Sequence, residues 1–163
     1  MNILIKNKNT LIFDDFKFKC CIGKQGLTKN KIEGDKKTPI GIFDLENLYY
    51  RKNRIEKPIT KLKVKIIKKS MGWCDDTKNS NYNRLIKISK KIKCEKMFRK
   101  DYKYDLVLPI KYNMKKVIKN KGSAIFIHLT KHYKPTAGCI GINKNDFLIL
   151  LKLIDKKTKI KII

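Results

Sequence analysis

Gly122-Ser-Ala-Ile-Phe-Ile-His128 and, after a short insert, Thr136-Ala-Gly-Cys139-Ile-Gly-Ile142 decide how this chain is read. Ser123 to Ile127 has the apolar, β-branched character of a buried strand, and Gly122 marks its start. That strand delivers His128 at its end. The second stretch is a small-residue turn carrying Cys139, after which Ile140 and Ile142 resume an apolar strand pattern. Buried strands on each side would hold His128 and Cys139 at neighbouring strand ends. A thiol, an imidazole within reach and backbone N–H groups at a tight turn are what nucleophilic thiol catalysis requires. Taken singly, each residue has a plainer use: a Cys after Gly is commonly a small buried filler, and a His after an apolar strand a hydrogen-bonded structural group.

Around this stretch the chain reads as one domain over residues 1–163, long enough to bury a core without disulfides or metals. No apolar run approaches the roughly 20 residues of a membrane helix, so no transmembrane segment is expected. Met1-Asn-Ile-Leu-Ile5 is followed by Lys6 and Lys8 and lacks the apolar core of a signal peptide. As written, the chain is therefore expected in the cytoplasm, unless a leader has been lost. Net charge is +27, yet Arg51, Arg54, Arg84 and Arg99 are the only arginines among 41 basic residues. Ala occurs only at Ala124 and Ala137, a composition that points to A/T-rich codons. The lysines alternate with apolar residues, as in Lys61-Leu-Lys-Val-Lys-Ile66, which places them on the wet face of half-buried strands. Non-specific attraction to polyanions that weakens with salt is expected, but no specific nucleic-acid reader. This positive field should also lower the pKa of Cys139 modestly.

The five cysteines (Cys20, Cys21, Cys74, Cys94 and Cys139) are odd in number with one adjacent pair, unlike a secreted disulfide framework. His128 and His132 have the spacing of a helical metal site, but the segment before His128 reads as strand, and without a helix the two rings would not converge on one ion, so zinc is rejected. No cofactor is called for.

Strands are expected at Asn2–Ile5, Thr10–Phe13, Phe16–Ile22, Leu62–Lys68, Arg84–Ile88, Tyr104–Ile110 and Thr158–Ile163, with a lysine-rich segment compatible with helix between the fifth and sixth. A helix is expected after Asn143, a good N-cap with Asp146 three residues on, because Phe147, Leu150, Leu151 and Ile154 fall on one face. Gly72 to Arg84 reads as a loop whose Trp73, Asp75, Asp76, Tyr82, Asn83 and Arg84 suit a peptide's charged groups; equally, it is a surface loop pinned by one buried Trp. Lys24, Asp35 and Thr38 read as structural support.

The two leading stretches resemble the catalytic core of the YkuD-type L,D-transpeptidases, in the subgroup with a short His-to-Cys insert. Gly23-Lys24, Glu33-Gly-Asp35, Thr38-Pro39-Ile-Gly41-Ile-Phe43, Gly72-Trp-Cys-Asp-Asp76 with Tyr82-Asn-Arg84, and Tyr104-Asp105 with Tyr112-Asn113 are similar to further blocks of that family. Ala137 stands where the widespread motif has His. The resemblance implies a mainly β (α+β) fold, a β-sandwich of mixed sheets with one or two short helices, one of them near the C-terminus. It implies a cysteine acyltransferase for peptidoglycan stem peptides, cutting between the diamino acid and D-Ala. Cys139 would be the nucleophile, His128 the general base and acid oriented by the Leu129 carbonyl or another nearby backbone group, and the Gly138 and Cys139 N–H groups the oxyanion hole. Trp73, Asp75, Tyr82, Asn83, Arg84 and Thr136 are the candidate substrate contacts. Carbapenem-type lactams acylate the family's Cys. By resemblance the protein belongs in the periplasm or cell envelope. The alternatives are a cytoplasmic L,D-carboxypeptidase trimming muropeptides and, behind both, a non-catalytic basic polyanion binder.

Overall fold

Ile3, Ile5, Leu11, Phe13 and Phe18 are buried while their neighbours along the chain lie nearer the surface, a period of two that makes the opening segments strands with one face inward. The computed structural model describes residues 2–163. Strands β1 (Asn2–Lys6), β2 (Thr10–Phe13) and β3 (Phe16–Cys21) form an antiparallel meander. Next come β4 (Leu27–Thr28) and β5 (Thr38–Pro39), a short parallel pair, then β6 (Gly41–Asp44), β7 (Leu48–Tyr50) and β8 (Val64–Ile66). A separate antiparallel sheet is built from β9 (Met71–Cys74), β10 (Leu85–Lys87) and β11 (Cys94–Lys96), with β9 in the middle. The chain continues through β12 (Leu106–Pro109), β13 (Phe126–Leu129), β14 (Ile140–Ile142), helix α1 (Lys144–Leu153) and β15 (Lys159–Ile162). Ten strands make one mixed sheet in the order β6-β15-β1-β2-β3-β14-β13-β12-β7-β8.

The central strands of that sheet are covered on both faces, which is why they are apolar throughout rather than alternating. Leu106, Leu108, Ile127, Leu129, Ile140 and Ile142 join Phe147, Leu150, Leu151 and Ile154 of the helical side in the larger core. Val107 and Phe126 face the other way, into a smaller core with Trp73, Met97, Tyr104 and Cys139. Trp73 of β9 meets Phe126 edge-on with ring centres 5.1 Å apart, docking the three-stranded sheet over this second face.

The expected fold class holds: mostly strand, mixed sheets and a single short helix near the C-terminus among the described residues. That helix starts where its cap dictates, with the Asn143 Oδ1 accepting the Asp146 N–H at 2.9 Å. Three local expectations are corrected. The lysine-rich segment before β12 is not helical but contributes β11, which β9 needs as its second partner. Trp73 lies on the central strand of the small sheet, not in a loop. The strand leading to His128 begins at Phe126 rather than Ser123, because Ala124 takes a positive φ of 51° and its N–H is held by the Asn83 side chain at 3.1 Å.

Candidate active site

Register brings the two candidate residues together. In the parallel pairing of β13 with β14, Ile127 lies beside Ile140 and His128 beside Gly141. Cys139 is therefore one position ahead of β14, next to Phe126, whose N–H points at its Sγ at 3.4 Å. Alternation puts Cys139, Gly141, Phe126 and His128 on one face of the sheet. Gly141 has to be a glycine on that face, since the Cys21 Sγ and the Thr130 Cβ fill the space a side chain would need, 2.6 and 3.2 Å from where a Cβ would stand. Cys139 and His128 both line one cavity of about 530 Å³, into which they keep 9% and 7% of their surface exposed.

The turn before Cys139 is braced from several sides. Thr136 receives the Lys24 N–H on its carbonyl at 2.8 Å and donates its own N–H to the Ile22 carbonyl at 2.9 Å. The Thr136 hydroxyl donates to the Cys139 carbonyl at 2.6 Å and accepts the Gly138 N–H at 3.1 Å. Thr38 donates to the Gly138 carbonyl at 2.8 Å, the structural support expected of it. Gly138 has a φ of 138°, and a Cβ on it would lie 2.9 Å from the Lys37 carbonyl, so a glycine is required there. Its N–H is engaged inside the turn by the Thr136 hydroxyl. The Cys139 N–H has no hydrogen-bond partner among the described residues.

The His128 Nδ1 lies 2.9 Å from the Leu129 carbonyl, which can only accept. Nδ1 therefore carries the proton, and Nε2 is left with a lone pair. Burial drives the His128 pKa down to about 4, helped by the cations Lys103 and Arg99 and opposed by the Leu129 hydrogen bond. The thiol donates to the Ala124 carbonyl at 3.2 Å. Burial pushes its pKa up to about 12, with the Glu95 charge adding to the rise. The expected lowering of the Cys139 pKa is thus overturned: Lys31 and Arg99 act in that direction, but desolvation of a sulfur among apolar neighbours is larger. At rest the pair is a neutral thiol and a neutral imidazole.

Of the expected substrate contacts, Asp75 and Thr136 line the cavity. Arg84 is exposed and lines no part of it. Trp73, Tyr82 and Asn83 are buried scaffold. The Trp73 Nε1–H donates to the Asn83 Oδ1 at 2.9 Å, and the Asn83 amide donates to the Tyr112 and Asn113 carbonyls at 3.0 and 2.8 Å. Tyr82 donates its hydroxyl to the Glu33 carboxylate, which also accepts from Ser123 at 2.7 Å. Asn83 carries four hydrogen bonds at a φ of 58°. Asn83→Ala is expected to destabilise the fold by about 4 kcal/mol, from orphaned buried donors plus left-handed backbone strain. Urea unfolding checks this against exposed Asn81→Ala, which should change little.

The remaining cavity wall was not foreseen. Glu33, Glu95, Arg99, Lys103 and Tyr104 line it with Asp75. Arg99 is fixed by a bidentate pair with Asp101 at 2.9 and 2.6 Å, and Tyr104 donates to Glu95 while its ring centre lies 5.6 Å from that of His128. The Asp75 Oδ1 is buried with no hydrogen-bond partner among the described residues. Spacing in sequence carries no signal for Glu95, because the pairing of β11 with β9 is what turns it toward the cavity.

A family model for the L,D-transpeptidase catalytic domain (YkuD) matches residues 3–162, nearly the whole chain. The chain belongs to the YkuD L,D-transpeptidase family. Members of this family are transpeptidases with a cysteine nucleophile. The crystal structure of the helical cell shape determining protein Pgp2 from Campylobacter jejuni is similar, with a TM-score of 0.53 at 19% identity over 98% of this chain and 46% of that one. At that identity the likeness speaks for a shared fold. The YkuD domain described here spans less than half of that protein's chain. A comparison with curated protein sequences returned no match.

Proposed function

We propose that this YkuD domain is a cysteine acyltransferase acting on peptidoglycan stem peptides, with Cys139 as nucleophile and His128 as general base and acid. The observation that carries the reading is the placement of both side chains on one sheet face, opening into one cavity, with the Nδ1 of His128 engaged and Nε2 free. Because both pKa shifts disfavour a resting thiolate–imidazolium pair, the proton moves as the sulfur attacks. The S–H leaves the Ala124 carbonyl for the Nε2 of His128 while Sγ bonds to the amide carbon. The developing oxyanion takes the Cys139 N–H; one such donor is typically worth about 3 kcal/mol. His128 then protonates the departing D-Ala amine as the C–N bond breaks, leaving a thioester. An incoming amine gives a cross-link, and water gives the trimmed tripeptide.

Charge on the wall favours a substrate that bears both signs. Asp75, Glu33 and Glu95 offer acceptors for an ammonium, and the orphaned Asp75 Oδ1 lacks a donor that such a group would supply. Arg99 and Lys103 line the same cavity, Arg99 only 3.9 Å from Glu95, and suit a carboxylate. A diamino acid in a stem peptide carries both groups. Incubation with purified stem tetrapeptide and mass analysis of the products tests the reading: tripeptide with free D-Ala, or a cross-linked dimer, is expected. Unchanged tetrapeptide with folded protein contradicts it.

A further inference from the structure

Cys74 and Cys94 stand opposite each other on β9 and β11. Across the same two strands the Met97 N–H donates to the Met71 carbonyl at 3.1 Å, so those two residues form a hydrogen-bonded pair. Pair types alternate along an antiparallel ladder, which makes Trp73–Glu95 hydrogen-bonded and Cys74–Cys94 non-hydrogen-bonded. The Cys74 backbone agrees: its N–H goes to the Arg84 carbonyl at 2.9 Å and its carbonyl takes the Asn83 N–H at 2.8 Å, both toward the β10 side. In a non-hydrogen-bonded pair the Cα atoms lie about 4.5 Å apart, inside the disulfide range of about 4.4–6.8 Å. Facing residues also share a face. The Cys94 sulfur lies over Gly72, 2.7 Å from where a Cβ would stand, on the side of β9 that carries Cys74. Rotation about the Cys94 χ1 swings it toward Cys74, out of the space that a side chain at Gly72 would fill. Cys94 is partly exposed and Cys74 buried, so an oxidant meets Cys94 first.

We propose that Cys74 and Cys94 form an oxidisable dithiol that closes into a cross-strand disulfide, a modification site distinct from Cys139. The Cys94 thiolate attacks one sulfur of a small-molecule disulfide, forming a mixed disulfide and releasing one thiol. Cys74, deprotonated, then attacks the Cys94 Sγ and displaces the second thiol. Two protein thiols and one disulfide thus become one protein disulfide and two small thiols. The residues that follow each cysteine in sequence, Asp75 and Glu95, line the cavity of Cys139. The bond therefore staples the sheet that forms one wall of that cavity. None of this depends on the acyl-transfer reading.

The test oxidises the full chain with oxidised glutathione, alkylates free thiols after unfolding, and maps tryptic peptides without reduction. A linked pair carrying Cys74 and Cys94, two hydrogens lighter than the separate peptides, is expected. Oxidation should also raise the melting temperature by about 5 °C or more, and Cys94→Ala should lose both effects. A glutathione adduct persisting on Cys94 beside an alkylated Cys74, or alkylation of both, overturns the proposal, and the wild-type map alone decides even if the variant folds poorly.

Discussion

Cys139→Ala is expected to lower turnover of stem tetrapeptide by about 10⁴-fold or more, the scale on which removing a nucleophile acts. The sulfur touches only the Phe126 N–H and the Ala124 carbonyl through polar contacts. Its removal leaves a small gap in the smaller core and two backbone groups that pair with the thiol weakly. The variant should fold, with a melting temperature within a few degrees of the parent, so loss of product reports chemistry rather than unfolding. Measured turnover of the variant at the parental rate removes Cys139 from the mechanism.

His128→Gln should cost about 10²–10⁴-fold, the usual contribution of a positioned general base. Glutamine can still donate to the Leu129 carbonyl, but it cannot carry a proton from thiol to leaving amine. The pH dependence is more specific. A base whose pKa is held near 4 stays neutral, and so competent, well below the pH at which an unperturbed His protonates. The acid limb of kcat/KM set by His128 is therefore expected near pH 4 rather than near 6.5. Stability moves with the same shift. The unfolded chain takes up this proton as pH falls below about 6.5, while the folded one resists until about 4. Stability from the neutral imidazole is thus complete above about pH 6.5 and declines by roughly 3 kcal/mol toward pH 4. Urea titrations between those pH values should show this decline in the parent and a smaller one in His128→Gln. An acid limb at the ordinary histidine pKa with no such decline would mean the ring is solvated and free.

The opening meander, the Asn143-capped helix and the Cys139 turn could be read from the chain because each is decided locally, by alternation, a cap or small residues. The pairing of His128 with Cys139 was legible for a related reason: two apolar strands leave few ways to place the residues at their ends. What escaped was set by distant partners. Trp73, Tyr82 and Asn83 look like ligand-gripping groups in a polar stretch, yet Asn83 ties Trp73, Ala124 and the Tyr112–Asn113 backbone together. Glu95 is hidden among lysines because only the pairing of β11 with β9 aims it at the cavity. The thiol's pKa does not follow from net charge, which is spread over a wet surface, whereas the Cys139 sulfur sits in an apolar core where desolvation dominates.

Covalent capture separates a nucleophile from a bystander. The protein is mixed with stem tetrapeptide, quenched in acid within a single turnover, and digested for mass analysis. An acyl-tripeptide adduct on the peptide containing Cys139, cleaved by hydroxylamine as a thioester is, is the expected result. Product release in the same samples with Cys139 bare, or the adduct on another residue, would contradict it.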